Sequence, residues 1–172
     1  DRTGNVIYCA SLSKVLAPGL RLGWMAAGRW QGRVQMLKFA QSRPNDSWSQ
    51  VLAGRFIASG AYDRHLRTLR QTLREQRERM AESIAGCFPA GTRLSVPSGG
   101  LAMWVELPAN VSSMELFDAA LAQGIRIAPG TMFSNLNRFD HFFRICFGLA
   151  PSANLEAALA TLGRLTQELA ER

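Results

Sequence analysis

The sequence predicts an α/β chain. Three observations carry that reading: short β-branched and aromatic runs near the start, a long helical pattern in the middle, and strands alternating with capped helices over 94–172. With 172 residues and 47% hydrophobic content, the chain can form one domain with a sizeable core, or two small lobes.

The elements follow in order. Asp1-Arg2-Thr3-Gly4-Asn5 is polar and reads as a turn leading into a strand, so the chain is expected to begin within a longer protein. Val6 to Ala10 predicts a buried strand and Leu22 to Ala27 a second, with Pro18-Gly19 turning between them. Trp30, Val34, Leu37 and Met36 or Phe39 recur at near-helical spacing over 29–42. Arg43-Pro44-Asn45-Asp46 breaks that helix, and Asp46 or Ser47 is placed to cap another over 48–59. Beyond Gly60, a long helix runs from Ala61 to about Ala85, with Leu66, Leu69, Leu73, Met80 and Ile84 as its apolar stripe. A strand is expected over 101–107. Ser112 and Glu115 then form a capping box for a helix through Ala122, closed by Gly124. Strands over 124–128 and 142–147 and a helix from Asn154 complete an α+β lobe. The domain expectation is therefore 1–60, a linking helix and linker over 61–93, and a small domain over 94–172.

The formal charge is +7, and the basic excess is almost all arginine, since only Lys14 and Lys38 are lysines. Up to residue 60 the only acids are Asp1 and Asp46. Such a front half suits an anionic ligand, nucleic acid, or a solvated partner surface. On the long helix, Glu75, Glu78 and Glu82 interleave with the arginines and no aromatic stacking pattern accompanies them. A solvated face or a dimer contact fits better there than nucleic acid. Cys9, Cys87 and Cys146 are far apart and odd in number, which points to reduced thiols in a cytoplasmic protein rather than a disulfide framework or zinc site. His65 and His141 are too isolated to be metal ligands, and His65 reads as a helix-surface or interface residue. No run is long enough to span a membrane.

The chemistry concentrates at Ser11-Leu12-Ser13-Lys14-Val15-Leu16-Ala17-Pro18-Gly19-Leu20-Arg21. A lysine at the end of a buried strand is desolvated, which favours the neutral, nucleophilic amine that condenses with an aldehyde. Ser11 and Ser13 offer hydroxyls, and Arg21 a planar cationic fork for phosphate oxygens. Amine, hydroxyls and guanidinium together suit an aldehyde that carries a phosphate, and pyridoxal 5'-phosphate is such a molecule. The competing reading is a lysine that snorkels from a strand end and an arginine paired with an acid.

The stretch resembles the lysine segment S-x-S-K-x-x-x-P-G-x-R-x-G of the fold-type I, class I/II aminotransferases. The resemblance implies that Lys14 holds pyridoxal phosphate as a Schiff base and that Ser11 and Arg21 bind its phosphate. Ser13 would add a hydroxyl contact. It extends along the chain through Gly60-Ala61-Tyr62-Asp63-Arg64-His65-Leu66-Arg67, Pro97-Ser98-Gly99-Gly100 with Trp104, Ala128-Pro129-Gly130 with Phe133, and Phe143-Arg144-Ile145-Cys146-Phe147. In the family, the arginine of that last strand binds the substrate carboxylate, which falls here on Arg144. Read from the residues alone, an arginine among Phe142, Phe143, Ile145 and Phe147 needs an anionic partner. A bidentate carboxylate ligand supplies one, as would a salt bridge to Asp140 or Glu106.

Within the family, the sequence looks most like the aminotransferase-like domain of the MocR regulators. These carry a GntR-type winged-helix DNA-binding domain ahead of that domain. Free-standing class I/II aminotransferases share nearly all of the same motifs. The family's aspartate that faces the pyridine nitrogen has no counterpart before Val6. The resemblance therefore implies the C-terminal portion of a pyridoxal-phosphate-dependent transferase fold: the tail of a large domain, a long linking helix and a small domain. It also implies an amino acid or amine as substrate or effector, DNA contact only through a domain outside this chain, and a homodimer.

Overall fold

The computed structural model describes residues 2–136 and 138–172; Asp1, the first residue of the expected opening turn, lies outside them. The chain divides into two compact units, Asp1–Leu69 and Arg70–Arg172, with the boundary inside one helix.

The first unit holds β1 (Tyr8–Ser11) and β2 (Gly23–Ala26), an antiparallel pair in which Tyr8 faces Ala26 and Ser11 faces Gly23. Helices α1 (Gln31–Ser42) and α2 (Ser47–Ala58) follow, then the first turns of α3 (Ala61–Cys87). Asp46 caps α2: the Ser49 backbone N–H donates to its Oδ2 at 2.7 Å. That bond is the main reason its carboxyl sits below the usual carboxylate range, helped by the Ser49 hydroxyl and the Trp48 N–H.

The expectation of buried strands here is corrected. Val6, Ile7 and Tyr8 are exposed, as are Trp24 and Met25. The physical reason is layer count: β1 pairs only with β2, and among the described residues no second layer covers this two-stranded ribbon. The buried residues of this unit lie beside the ribbon instead. Leu12, Leu22 and Ala53 form its core, with Val15, Leu16, Leu20 and Tyr62 packed around them. The core thus sits beneath the turn that carries Lys14.

The second unit is a four-stranded antiparallel sheet of order β3-β4-β6-β5. Its strands are β3 (Arg93–Ser95), β4 (Ala102–Glu106), β5 (Ala128–Pro129) and β6 (Phe142–Cys146). Along β4, Met103 and Val105 are buried while Ala102, Trp104 and Glu106 are half-buried, so one face of the sheet meets the core. That core takes in Phe143, Phe147, Met80 and Ile84 of α3, Leu116 and Ala120 of α4 (Ser113–Ala122), and the Leu159–Leu169 stripe of α5 (Ala153–Ala170). Phe88 and Phe143 stack within it with ring centroids 6.1 Å apart. Serine caps open both later helices, with the Glu115 N–H donating to Ser112 Oγ at 3.4 Å and the Leu155 N–H to Ser152 Oγ at 3.2 Å.

The strand expected over 124–128 is also corrected, since only Ala128–Pro129 is extended and paired. The helix C-cap takes the preceding residues. Gly124 adopts φ +74°, and the N–H groups of Gly124 and Ile125 donate to the carbonyls of Leu121 and Ala120. The sequence reading missed β3, whose Arg93-Leu94-Ser95 has one apolar residue and pairs along β4 at the sheet edge. Cys9, Cys87 and Cys146 are free and exposed.

Candidate functional site

Two clusters carry the candidate residues, one in each unit. In the first, the Leu12 N–H donates to the Leu22 carbonyl at 2.9 Å, extending the β1–β2 register by one pair before the chain turns. The Leu12 carbonyl then accepts from the N–H groups of Val15, Leu16 and Ala17 at 3.3, 2.8 and 3.2 Å. One oxygen thus closes a tight loop with Lys14 at its apex. The same register returns Arg21 alongside the Ser11–Lys14 turn.

Lys14 and Arg21 are exposed, and so is Ser11. This corrects the premise of a desolvating strand: within this chain, the strand before Lys14 is open to solvent. Ser11 Oγ accepts the Ser13 N–H at 3.3 Å, which orients the hydroxyl toward the turn. Arg21 closes a short 3₁₀ turn, Pro18–Leu20, in the left-handed conformation with φ +48° and ψ +33°. A non-glycine residue there costs on the order of 1 kcal/mol, so the loop holds the Arg21 backbone against local preference.

His65, expected as a helix-surface or interface residue, instead makes a part-buried contact that the sequence did not show. Its Nε2 lies 2.7 Å from the Val15 carbonyl oxygen, fifty residues away in sequence. Tyr62 and His65 are one turn apart on α3 and both face the Lys14 loop: Tyr62 packs on the Leu12–Leu22 core and His65 reaches the adjoining carbonyl.

In the second unit, Arg144 lies on β6 opposite Trp104 of β4 and Ala128 of β5. It projects from the sheet face away from the core and is exposed. Its guanidinium carbon stands 4.9 Å above the Phe133 ring. Trp104 contacts Phe133, Phe139 and Phe142 with centroids 5.2, 5.6 and 6.0 Å away, so the ring beneath the cation belongs to an aromatic cluster. The alternative of a structural salt bridge is not met. Glu106 lies 3.8 Å from both Arg93 and His141, and among the described residues no carboxylate reaches Arg144 within ion-pair distance.

The donor set of the Lys14 turn matches the chemistry of a phosphorylated aldehyde. Two hydroxyls, a guanidinium and an amine lie on one eleven-residue segment, Ser11 to Arg21, and no acid occurs between Arg2 and Asn45 to compete for the two cations. These residues fit such a group.

No protein-family model matches the chain. It is 36% identical over 168 residues to the HTH-type transcriptional regulator YdcR of Escherichia coli, covering 98% of this chain and 36% of YdcR. To aromatic-amino-acid aminotransferase 1 of Thermococcus litoralis it is 27% identical, over 98% of this chain and 40% of that one. The kynurenine aminotransferase of Pyrococcus horikoshii superposes with a TM-score of 0.89 at 27% identity, covering 98% of this chain and 42% of that structure. The chain has the C-terminal fold of the fold-type I aminotransferases. The α-aminoadipate aminotransferase LysN of Thermus thermophilus, solved with a phosphopyridoxyl-leucine, superposes with a TM-score of 0.88 at 26% identity, over 96% of this chain and 43% of that one. The homologues thus include both HTH-type regulators and aminotransferases. The chain spans 36% of YdcR and 40% of the Thermococcus enzyme. Among the described residues, no helix is long and apolar enough to cross a membrane.

Proposed function

We propose that this chain forms part of a pyridoxal-phosphate site in an amino-acid-responsive protein, as the effector domain of a MocR-type transcriptional regulator. The observation that carries the reading is the closed Ser11–Arg21 loop, with hydroxyls, amine and guanidinium on one turn. Its identity to the regulator YdcR exceeds that to the aminotransferases named above, which favours regulator over enzyme. A free-standing aminotransferase is the second reading, favoured by the fold match to the Pyrococcus and Thermus enzymes.

With pyridoxal phosphate bound, Lys14 Nζ would hold its aldehyde carbon, and Ser11, Ser13 and Arg21 would hold its phosphate by charge-assisted hydrogen bonds. Arg144 takes the α-carboxylate of an amino acid in its two-pronged fork, and its stacking over Phe133 fixes the plane of that fork. Bound pyridoxal phosphate supplies an electron sink for a bond at the amino acid's Cα. In a catalytic version, Lys14 Nζ carries the proton at that Cα as general acid and base.

The rest of the proposal follows the same line: residues 1–60 as large-domain tail, 61–93 as linking helix and linker, 94–172 as small domain, in a cytoplasmic homodimer that meets DNA through a winged-helix domain outside this chain. Footprinting on the protein's own promoter, with and without pyridoxal phosphate and amino acids, separates the two readings. Ligand-dependent protection supports a regulator. Turnover of an amino acid with a 2-oxo acid and no protection supports an enzyme.

A further inference from the structure

We infer that His65 is the positioning residue for Lys14, acting through the backbone carbonyl of Val15. The inference rests on Lys14 being the cofactor lysine. A carbonyl oxygen only accepts, so the 2.7 Å contact requires that His65 Nε2 carry its proton and donate. In the neutral ring this places the other proton-accepting site at Nδ1. Protonating Nδ1 leaves the Nε2 donor in place, so the bond persists in both charge states.

The location makes the bond matter. Lys14 is exposed and no hydrogen bond to its ammonium is found among the described residues, so its backbone sets where Nζ can reach. That backbone is held on one side by the Leu12 carbonyl, which gathers the Val15, Leu16 and Ala17 N–H groups. On the other side the Val15–Leu16 peptide, one residue beyond the Lys14–Val15 peptide, is held at its carbonyl by His65 of α3, fifty residues after Val15. Val15 itself packs on the small Leu12–Leu22–Ala53 core beside Tyr62, three residues before His65 on α3. The Val15 peptide therefore has an apolar anchor on its side chain and a polar anchor on its carbonyl. Removing the polar anchor loosens the Val15–Leu16 peptide, and with it the backbone that adjoins Lys14, without dissolving the core. A lysine that must meet an aldehyde carbon loses effective concentration when the backbone adjoining it shifts.

The test uses the full-length protein and pyridoxal phosphate. His65→Phe keeps ring bulk and loses the donor, and His65→Gln restores an N–H donor near the Nε2 position. Two readouts are followed in each variant: borohydride-trapped adduct on the Lys14 peptide by mass spectrometry, and the pH midpoint of the visible absorbance of the lysine-bound cofactor. Losing one hydrogen bond of this kind predicts roughly five- to tenfold slower capture in His65→Phe. Its pH midpoint should move, while His65→Gln stays within about twofold of wild type, the rescue expected when a donor is restored. Wild-type capture and midpoint in His65→Phe would overturn the inference. So would a His65→Gln protein that melts like wild type yet captures as poorly as the Phe variant. If the Phe variant does not fold, the Gln variant beside His65→Leu decides on the same terms. An absence of trapped adduct on wild-type Lys14 would refute the cofactor reading itself, an outcome separate from these.

Discussion

Gly23→Ala gives a graded test of the loop. Gly23 pairs with Ser11 at the end of β1, where the ribbon passes into the Lys14 turn. A Cβ at position 23 would stand 2.6 Å from the Ala10 carbonyl oxygen. To reach ordinary contact at about 3.4 Å it must retreat by about 0.8 Å. The obstructing atom is backbone, so no side-chain rotation relieves it, and the two strands must part. Overpacking of this kind costs about 1–3 kcal/mol. The displacement lands on the pair that positions Lys14, and misplacing a reacting group by about 1 Å lowers its effective reactivity by up to 10²-fold. Pyridoxal-phosphate capture at Lys14 should therefore fall at least tenfold. Hydrogen exchange should show the Leu12 N–H, bonded to the Leu22 carbonyl, losing protection while amides of β4 and β6 keep theirs. A variant with wild-type capture and wild-type Leu12 protection would refute the argument that ribbon spacing sets the loop.

Other expectations follow from single contacts. Phe143→Ala removes a fully buried ring stacked on Phe88 and should destabilise the second unit by about 3–5 kcal/mol, read by denaturant unfolding. Arg144→Ala should weaken amino-acid binding by roughly ten- to a hundredfold while leaving the visible absorbance of lysine-bound cofactor intact, as checked by titration. Asp46 carries a lowered folded-state pKa, so its contribution to α2 is complete above the ordinary carboxylate range and is lost as pH falls through the lowered value. Asp46→Asn should flatten that acid dependence, measured as the thermal midpoint against pH.

Local signals were legible where one residue type has one physical job. Asp46, Ser112 and Gly124 were read as helix boundaries, and each makes the bond or dihedral that the reading requires. The α3 stripe was legible because burial on a helix repeats every turn, and Met80 and Ile84 are indeed buried. Burial of β1 was not legible. An apolar run specifies that a strand has faces to cover, and only the tertiary structure decides what lies over them. The span over 124–128 was misread because Ile125 is as suitable for a helix C-cap contact as for a strand. At the candidate site, Ser11, Ser13, Lys14 and Arg21 lie on one short segment, so their grouping was visible in the sequence. The contact of His65 with Val15 was not, because a carbonyl has no sequence signature and a lone histidine on a helix has many possible neighbours. The aromatic setting of Arg144 was half visible: the flanking phenylalanines of β6 were noted, but Phe133 reaches the guanidinium from another segment.

The central claim is that Lys14 anchors pyridoxal phosphate. Its most direct test is the visible absorbance of the full-length protein with excess pyridoxal phosphate, compared with Lys14→Ala. The account predicts a band in the wild type, reducible by borohydride to an adduct on the Lys14 peptide, and no such band in the variant. A colourless wild-type protein, or a band that survives in Lys14→Ala, would contradict it.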